Sequence, residues 1–336
     1  MGQIPQLKRP VPALIQLKNQ FSDTMADGIR VAPNHFKTKS YDQVRVTFSP
    51  VSIIMLDESK QVFVFGGRIY LRWNDPDVKW NASKFDDIET VYMNTFPVPD
   101  TAIANGVGTL KLTKNSDVKI TLNGLCSTDY METFTTSCNV DPTLYPFDEQ
   151  VCELVLIPDG SFTLVTDEIV SIQNEYFTNS SEWELLNVTV ETRGYEVHGA
   201  EVNSSVFKFH LKRQSTFHIV TVLFPMSLLS FMNTFAFLLP SASGEKVSYL
   251  VSIFVSYAMF LNFIYDSMPK SGTITRMAIY LVLILLQSGL AILLSIVLLA
   301  MQLDSKGQKE RFVRKMERIL FMLFFVFASV SLAVFF

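Results

Sequence analysis

Four long apolar runs crowd into the last part of the chain, and they constrain its fold more than any other feature. Thr216–Leu239 carries no Asp, Glu, Lys or Arg. Val247–Ile264 is also uncharged but holds Ser248, Ser252, Ser256 and Asn262. Met277–Leu303 and Ile319–Phe336 complete the set. A helix needs about 20 apolar residues to cross roughly 30 Å of hydrocarbon, and each run meets or approaches that length. Packed as core helices of a water-soluble protein, four such runs in so short a stretch would leave no polar surface. They are therefore read as membrane spans.

The hinges are short. Pro240-Ser241-Ala242-Ser243-Gly244 separates the first two runs and makes them antiparallel neighbours. Asp266–Thr275, with Pro269 and Gly272, separates the second and third. Asp304–Arg318 separates the third and fourth and holds Lys306, Lys309, Arg311, Arg314, Lys315 and Arg318. This basic excess assigns the linker to the cytoplasm. Counting back three spans places residues 1–213 outside the cell, and the C-terminus lies outside as well. The expected division is 1–213 as an extracellular domain and 214–336 as a membrane domain. Its spans lie at about 216–239, 247–264, 277–303 and 319–336, with a cytoplasmic linker at about 304–318. The expected location is the plasma membrane, crossed several times. The opening residues Met1–Pro5 lack an apolar run, so the start reads as a mature or re-engineered N-terminus.

Residues 1–213 have the pattern of an all-β sandwich. Val44–Leu56, Gln61–Trp73, Thr109–Thr113, Val118–Leu122, Val151–Leu156, Val188–Thr192 and Val206–Arg213 are rich in β-branched and aromatic residues, with turn residues between them. Four Asn-x-Ser/Thr sequons, at Asn81, Asn179, Asn187 and Asn203, suit an extracellular surface. A net charge of −4 argues against nucleic acid as a partner. The four histidines (His35, His198, His210 and His218) are scattered without ligand spacing, and no Ser/His/Asp constellation stands out. The expectation is no enzyme, no cofactor and no metal.

The three cysteines, Cys126, Cys138 and Cys152, allow one disulfide and one thiol. Cys138 and Cys152 enclose thirteen residues, with Tyr145-Pro146-Phe147-Asp148 near the far end. In an oxidising compartment this spacing can close a loop, worth about 3 kcal/mol in chain entropy. A Cys-x13-Cys loop with an aromatic-Pro-Phe-Asp tip resembles the signature of the Cys-loop receptors, the pentameric ligand-gated ion channels. Trp80-Asn81-Ala82-Ser83, Glu182-Trp183-Glu184-Leu185 and Pro225 in the first run are similar to further family segments. Gly244-Glu245-Lys246-Val247-Ser248 resembles the cytoplasmic mouth of the cation-conducting, nicotinic-type branch. The resemblance implies an extracellular immunoglobulin-like β-sandwich, a four-helix transmembrane bundle and a pentamer of identical or related subunits. It also implies a small-molecule agonist and permeating cations. Relatives usually carry a long intracellular domain where this chain has a short linker, either natural or trimmed.

The second run can also be read without the family. At 100° per residue from Ser248, the residues Ser252, Val255, Met259, Asn262 and Asp266 fall within about 40° of one direction. Small hydroxyls stand at the inner end, an apolar pair midway and a carboxylate at the outer end, with Glu245 just before. Tyr249, Ile253, Tyr257 and Phe260 hold the opposite face. Polar groups inside a span usually face a bundle interior or water. Repeated around a ring, Glu245 and Asp266 would concentrate cations, and Val255 and Met259 would form a dewetting gate. Helix–helix adhesion is the competing reading of the stripe.

By resemblance, the parts that couple ligand binding to the pore are Pro146, Phe147 and Asp148, the Asp57-Glu58-Ser59-Lys60 turn, Arg213, and Ser267-Met268-Pro269. Asp148 and Arg213 suit a partly buried ion pair. The aromatic box that nicotinic members use for a cationic amine is mostly missing. Arg68 takes the complementary-face Trp position, Phe162 is the substitute for the central Trp, and Tyr195 is the aromatic of the last loop. Arg68 there would suit a carboxylate-bearing ligand. The eroded box also motivates a second reading, a non-conducting or accessory subunit that needs a partner subunit.

Overall fold

The computed structural model describes residues 12–29, 43–108, 117–159, 162–166, 177–197, 200–240, 245–267, 272–304 and 310–335. The chain divides into two compact units. One comprises Met1–Asn139 and Gln150–Leu211, the other Val140–Glu149 and Lys212–Phe336.

Among the described residues, the first unit is a β-sandwich preceded by the helix α1 (Pro12–Ile29). Its strands are β1 (Gln43–Asp57), β2 (Val62–Asn74), β3 (Thr90–Met93), β4 (Thr101–Ile103), β5 (Val118–Thr121), β6 (Leu125–Ser137), β7 (Glu149–Pro158), β8 (Thr163–Thr166), β9 (Trp183–Val197) and β10 (Ala200–Arg213). One sheet runs β3-β5-β6-β2-β1-β8 and the other β4-β7-β10-β9. Alternation builds the interior. Val44, Val46 and Phe48 of β1 and Phe63, Phe65, Ile69, Leu71 and Trp73 of β2 point inward and are buried. Phe209 of β10 meets them from the second sheet, with ring centres 4.6 Å from Phe65 and 5.3 Å from Phe63. Each buried Phe contributes about 2–3 kcal/mol of transfer free energy.

Two glycines are needed where β2 passes this cluster. A Cβ on Gly67 would stand 2.5 Å from the Phe48 ring, and one on Gly66 would stand 2.6 Å from Ser52 Oγ. Beside them β1 shifts register between Pro50 and Ser52 and again between Ile53 and Met55. A bulge is where a strand tolerates proline, since Pro50 has no N–H to give to a ladder.

The sequence reading missed several elements of this unit. β6 is a full-length central strand, yet its Thr-rich, weakly apolar sequence carries little strand signal. β3, β4 and β8 are too short to stand out. The expected strand Thr109–Thr113 lies outside the described residues. Helix α1 also went unread; Ala13, Leu17 and Phe21 form its buried stripe, and Phe21 packs edge-on against Trp80 at 5.6 Å.

The second unit holds four long helices: α2 (Thr216–Leu238), α3 (Glu245–Ser267), α4 (Arg276–Asp304) and α5 (Glu310–Phe335). Helix α2 contains a π-turn, Ile219–Leu223, immediately before Phe224 and Pro225. Proline lacks an N–H and its ring crowds the carbonyl four residues back, so the ladder widens there. Among the described residues, three helices are long and apolar enough to cross a membrane: Thr216–Leu238, Arg276–Leu303 and Glu310–Ala333. Helix α3 is a fourth continuous rod of 23 residues, about 35 Å long. Helix α5 begins nine residues before the expected span. The basic segment Arg311–Arg318 is therefore helical, with Glu310 and Arg314 paired one turn apart at 3.4 Å.

Two buried clusters hold these helices together. One gathers Met226, Ile253, Tyr257, Met277, Tyr280 and Ile284; the other gathers Phe237, Leu250, Ala291, Val313 and Leu320. Gln287 of α4 ties three helices, accepting from Ser230 Oγ of α2 at 2.9 Å and donating to the Phe324 carbonyl of α5 at 3.4 Å. In apolar surroundings such polar contacts supply orientation that greasy packing alone does not.

Candidate functional site

Helix α3 separates its faces sharply. Glu245, Ser248, Ser252, Val255, Met259 and Asn262 are exposed on the subunit. Met259 is the most open of them at 72%. Lys246, Leu250, Ile253, Tyr257 and Ile264 are buried against the other helices. Tyr249 and Phe260, also expected on the inner face, are intermediate. The hydroxyls of Ser252 and Ser256 donate to carbonyls one turn back, Ser248 O and Ser252 O, each at 2.9 Å. Their donors are satisfied within the helix, and their oxygens remain acceptors. Asp266 lies on the last turn of α3, with its side chain outside the described set.

The disulfide joins Cys138 and Cys152. Both cysteines lie in the sandwich unit, whereas residues Val140–Glu149 of the enclosed loop belong to the helical unit. Arg276 N donates to the Thr143 carbonyl at 2.9 Å, anchoring the loop to the start of α4. Arg213 grips Asp148 with two hydrogen bonds, Nε to Oδ1 at 2.7 Å and a terminal nitrogen to Oδ2 at 3.2 Å. The two side chains are 2% and 1% exposed, so the pair is fully rather than partly buried. The Arg213 guanidinium also lies 4.9 Å from the Tyr145 ring centre. Tyr145 Oη is 3.0 Å from Nδ1 of His218 on α2, with both residues buried. Pro146 is buried behind a cis peptide bond, while Phe147 packs edge-on against Phe335 at 5.8 Å. No local sequence signal links His218 to Tyr145; only folding brings them together across 73 positions.

The β1–β2 turn is held by Asp57. Its carboxylate accepts from Ser59 Oγ at 2.7 Å, Lys60 N at 2.9 Å and Lys60 Nζ at 2.8 Å. The Lys60 ammonium, followed by the other two donors, holds the carboxyl well below the usual carboxylate range. Glu58 lies at the turn itself, and Pro269 lies outside the described residues.

The three residues expected at the agonist site are placed as follows. Arg68 is on the outward face of β2, half exposed, with Nε 3.3 Å from Asp129 Oδ2 of β6. Phe162 is buried just before β8, at 8% exposure. Tyr195 lies on β9, with its side chain outside the described set. The four sequon asparagines, Asn81, Asn179, Asn187 and Asn203, are all exposed. Cys126 is buried and outside the disulfide.

With this geometry in place, comparison with known proteins identifies the class. The neurotransmitter-gated ion-channel ligand binding domain matches residues 21–215, and the neurotransmitter-gated ion-channel transmembrane region matches residues 222–324. The chain belongs to the neurotransmitter-gated ion-channel family, a family of ion channels rather than enzymes. Among its relatives, acetylcholine receptor subunit beta-type acr-2 of Caenorhabditis elegans is 29% identical over 262 residues, covering 74% of this chain and 44% of that protein. The human neuronal acetylcholine receptor subunit alpha-6 is 29% identical over 255 residues, covering 69% and 49%. Ligand-gated ion channel 4 of Caenorhabditis briggsae is 26% identical over 276 residues, covering 78% and 43%. The chain spans about half the length of the curated relatives it matches.

Proposed function

We propose that the chain is a subunit of a pentameric cation channel in the plasma membrane. A ligand bound outside the cell, at subunit interfaces, opens a central pore lined by α3. The sandwich and the C-terminus lie outside, and the basic segment at the start of α5 lies inside. The observation that carries this reading is the sorting of α3. The hydroxyls of Ser248 and Ser252, the amide of Asn262 and the carboxylate of Glu245 face away from the bundle, on a helix too apolar to favour water otherwise. Polar groups on a span are costly against lipid and find their natural partner in a water-filled passage. Glu245, repeated around the axis with Asp266 at the other end, concentrates cations. Val255 and Met259 supply an apolar constriction that water leaves when it narrows. Asp148, Arg213, Phe147 and the Glu58 turn carry the coupling.

Expression in oocytes tests the reading. The chain is expected to form a five-subunit particle, and Val255→Ser, which wets the constriction, is expected to give current without agonist. That current should reverse near the cation equilibrium potential and shift towards the anion potential with Glu245→Gln added. Anion permeation in the unmodified channel, or no current from Val255→Ser in correctly delivered protein, overturns the reading. The second outcome, if a partner subunit restores current, favours the accessory-subunit alternative.

A further inference from the structure

The apolar constriction proposed on α3 contains one side chain whose polarity can be changed by a covalent step. Met259 stands one turn outward of Val255 and one turn inward of Asn262, and this spacing keeps the three side chains on one face. The subunit leaves Met259 72% exposed and Val255 50% exposed, while Ile253 and Tyr257 on the other side of the helix are buried. Asn262 is polar and exposed, so it holds water at the outer end of the stripe. Val255 offers water no hydrogen bond. Met259 therefore marks the boundary between a wet stretch and a dry stretch of the passage.

A thioether is apolar as it stands, and its sulfur is only a weak acceptor. One added oxygen makes it a polar, chiral sulfoxide. Other methionines are exposed among the described residues: Met55 and Met131 on the sandwich, Met232 on α2 and Met322 on α5. Met259 is the most open of the set and shares its face with Ser248, Ser252 and Val255. The helical unit contains no cysteine, so it has no thiol to intercept an oxidant first. Cys126, the thiol outside the disulfide, is buried in the sandwich unit.

We infer that Met259 is an oxidative modification site, at which a peroxide entering from the outer end of the passage converts the thioether to a sulfoxide and holds the constriction wet. The step balances with hydrogen peroxide as the co-reactant. The sulfur lone pair attacks one peroxide oxygen, an S–O bond forms and the O–O bond breaks. The departing hydroxide takes the proton left on the new S–OH group and leaves as water. The thioether is oxidised by one electron pair, and the peroxide is reduced by the same pair. A constriction that closes by dewetting depends on apolar walls. Each subunit of a symmetric ring brings its own copy of Met259, so a sulfoxide at this turn sets hydrogen-bond acceptors directly above Val255. This inference rests on the pore reading above.

Oocytes expressing the full chain test it, with hydrogen peroxide as the probe and peptide mass spectrometry of the surface protein to show which methionines gain oxygen. Peroxide is expected to oxidise Met259 and to produce a current that outlasts the wash, at least half as large as the leak from Val255→Ser. Met259→Leu keeps the volume and the apolar character and should lose that current. Met259→Gln places an amide at the same turn and should leak without peroxide. The inference is overturned if Met259 stays unmodified at peroxide levels that oxidise Met131 and Met322. It is also overturned if the oxidised protein passes no current, if Met259→Leu gives the same peroxide current, or if Met259→Gln reaches the surface and stays closed. Leak from Val255→Ser without a peroxide current removes this inference alone. Absence of both currents, with Met259 oxidised, removes the pore reading and this inference with it.

Discussion

Lys246 Nζ lies 2.8 Å from Glu317 Oε1, and both side chains are buried, at 2% and 9% exposure. The pair joins the first turn of α3 to α5 across 71 positions, with the Phe237 ring centre 5.1 Å from the ammonium. Its consequence lies next door. Glu245 and Lys246 are adjacent and opposite in charge, yet only Glu245 faces outward. Glu317 draws the lysine inward, so the carboxylate proposed for the pore mouth is not neutralised by its neighbour.

Glu317→Ala is expected to leave a buried ammonium without its partner. Breaking such a pair costs about 3–5 kcal/mol, whereas replacing both charges by apolar groups of similar volume is often neutral. The single variant should therefore lower surface yield and melting temperature strongly. Glu317→Met combined with Lys246→Met should recover most of both. Equal losses in the single and double variants would show that the cost does not come from an unpaired buried ammonium.

Asp148→Asn is expected to behave similarly at the other buried pair. The neutral amide keeps the shape but leaves the Arg213 charge uncompensated, at a cost of about 3–5 kcal/mol. Arg213→Lys retains the charge and loses the two-pronged fit, so its melting temperature should fall between those of wild type and Asp148→Asn. Wild-type melting for both variants would contradict the burial described above.

Gly67→Ala places a methyl 2.5 Å from the Phe48 ring inside the sandwich. Overpacking of this kind costs about 1–3 kcal/mol. The loss should appear as a lower melting temperature with the disulfide intact. It should be partly relieved by Phe48→Leu, which removes the ring edge but also gives up some buried area.

The Asp57 turn has a calculable pH dependence. The carboxyl titrates lower in the folded chain than its ordinary value of about 3.9. A depressed acid contributes its stabilisation above the unfolded value and loses it as pH falls through the folded value. Protection of the Lys60 amide, which donates to Asp57 Oδ1, should therefore be flat above about pH 5 and decline below about pH 4. Asp57→Asn should abolish that decline when amide exchange is followed by mass spectrometry.

Much of the architecture was legible from local pattern. The apolar runs announce the helices because a span must be about 20 residues long and nearly free of charge. The outward residues of α3, from Ser248 to Asn262, follow from 100° per residue alone. Phe48, Phe63, Phe65 and Trp73 are found inside because strands alternate. What escaped notice did so for physical reasons. β6 reads as Leu-Cys-Ser-Thr-Asp-Tyr-Met-Glu-Thr-Phe-Thr-Thr-Ser, and its hydroxyls suppress the apolar alternation. With β6 unread, the neighbours of Arg68 could not be named.

The chain's own order determined that there would be spans of a given length, a short loop between Cys138 and Cys152, and a helix with one wet stripe. These depend on residues only a few positions apart, whose geometry the backbone dictates. Tertiary structure alone decided that Lys246 turns inward to Glu317, that Tyr145 meets His218, and that Arg68 meets Asp129. Such partners are distant in sequence and come together only when strands choose a register and helices choose a face, and the burial of many other side chains makes that choice.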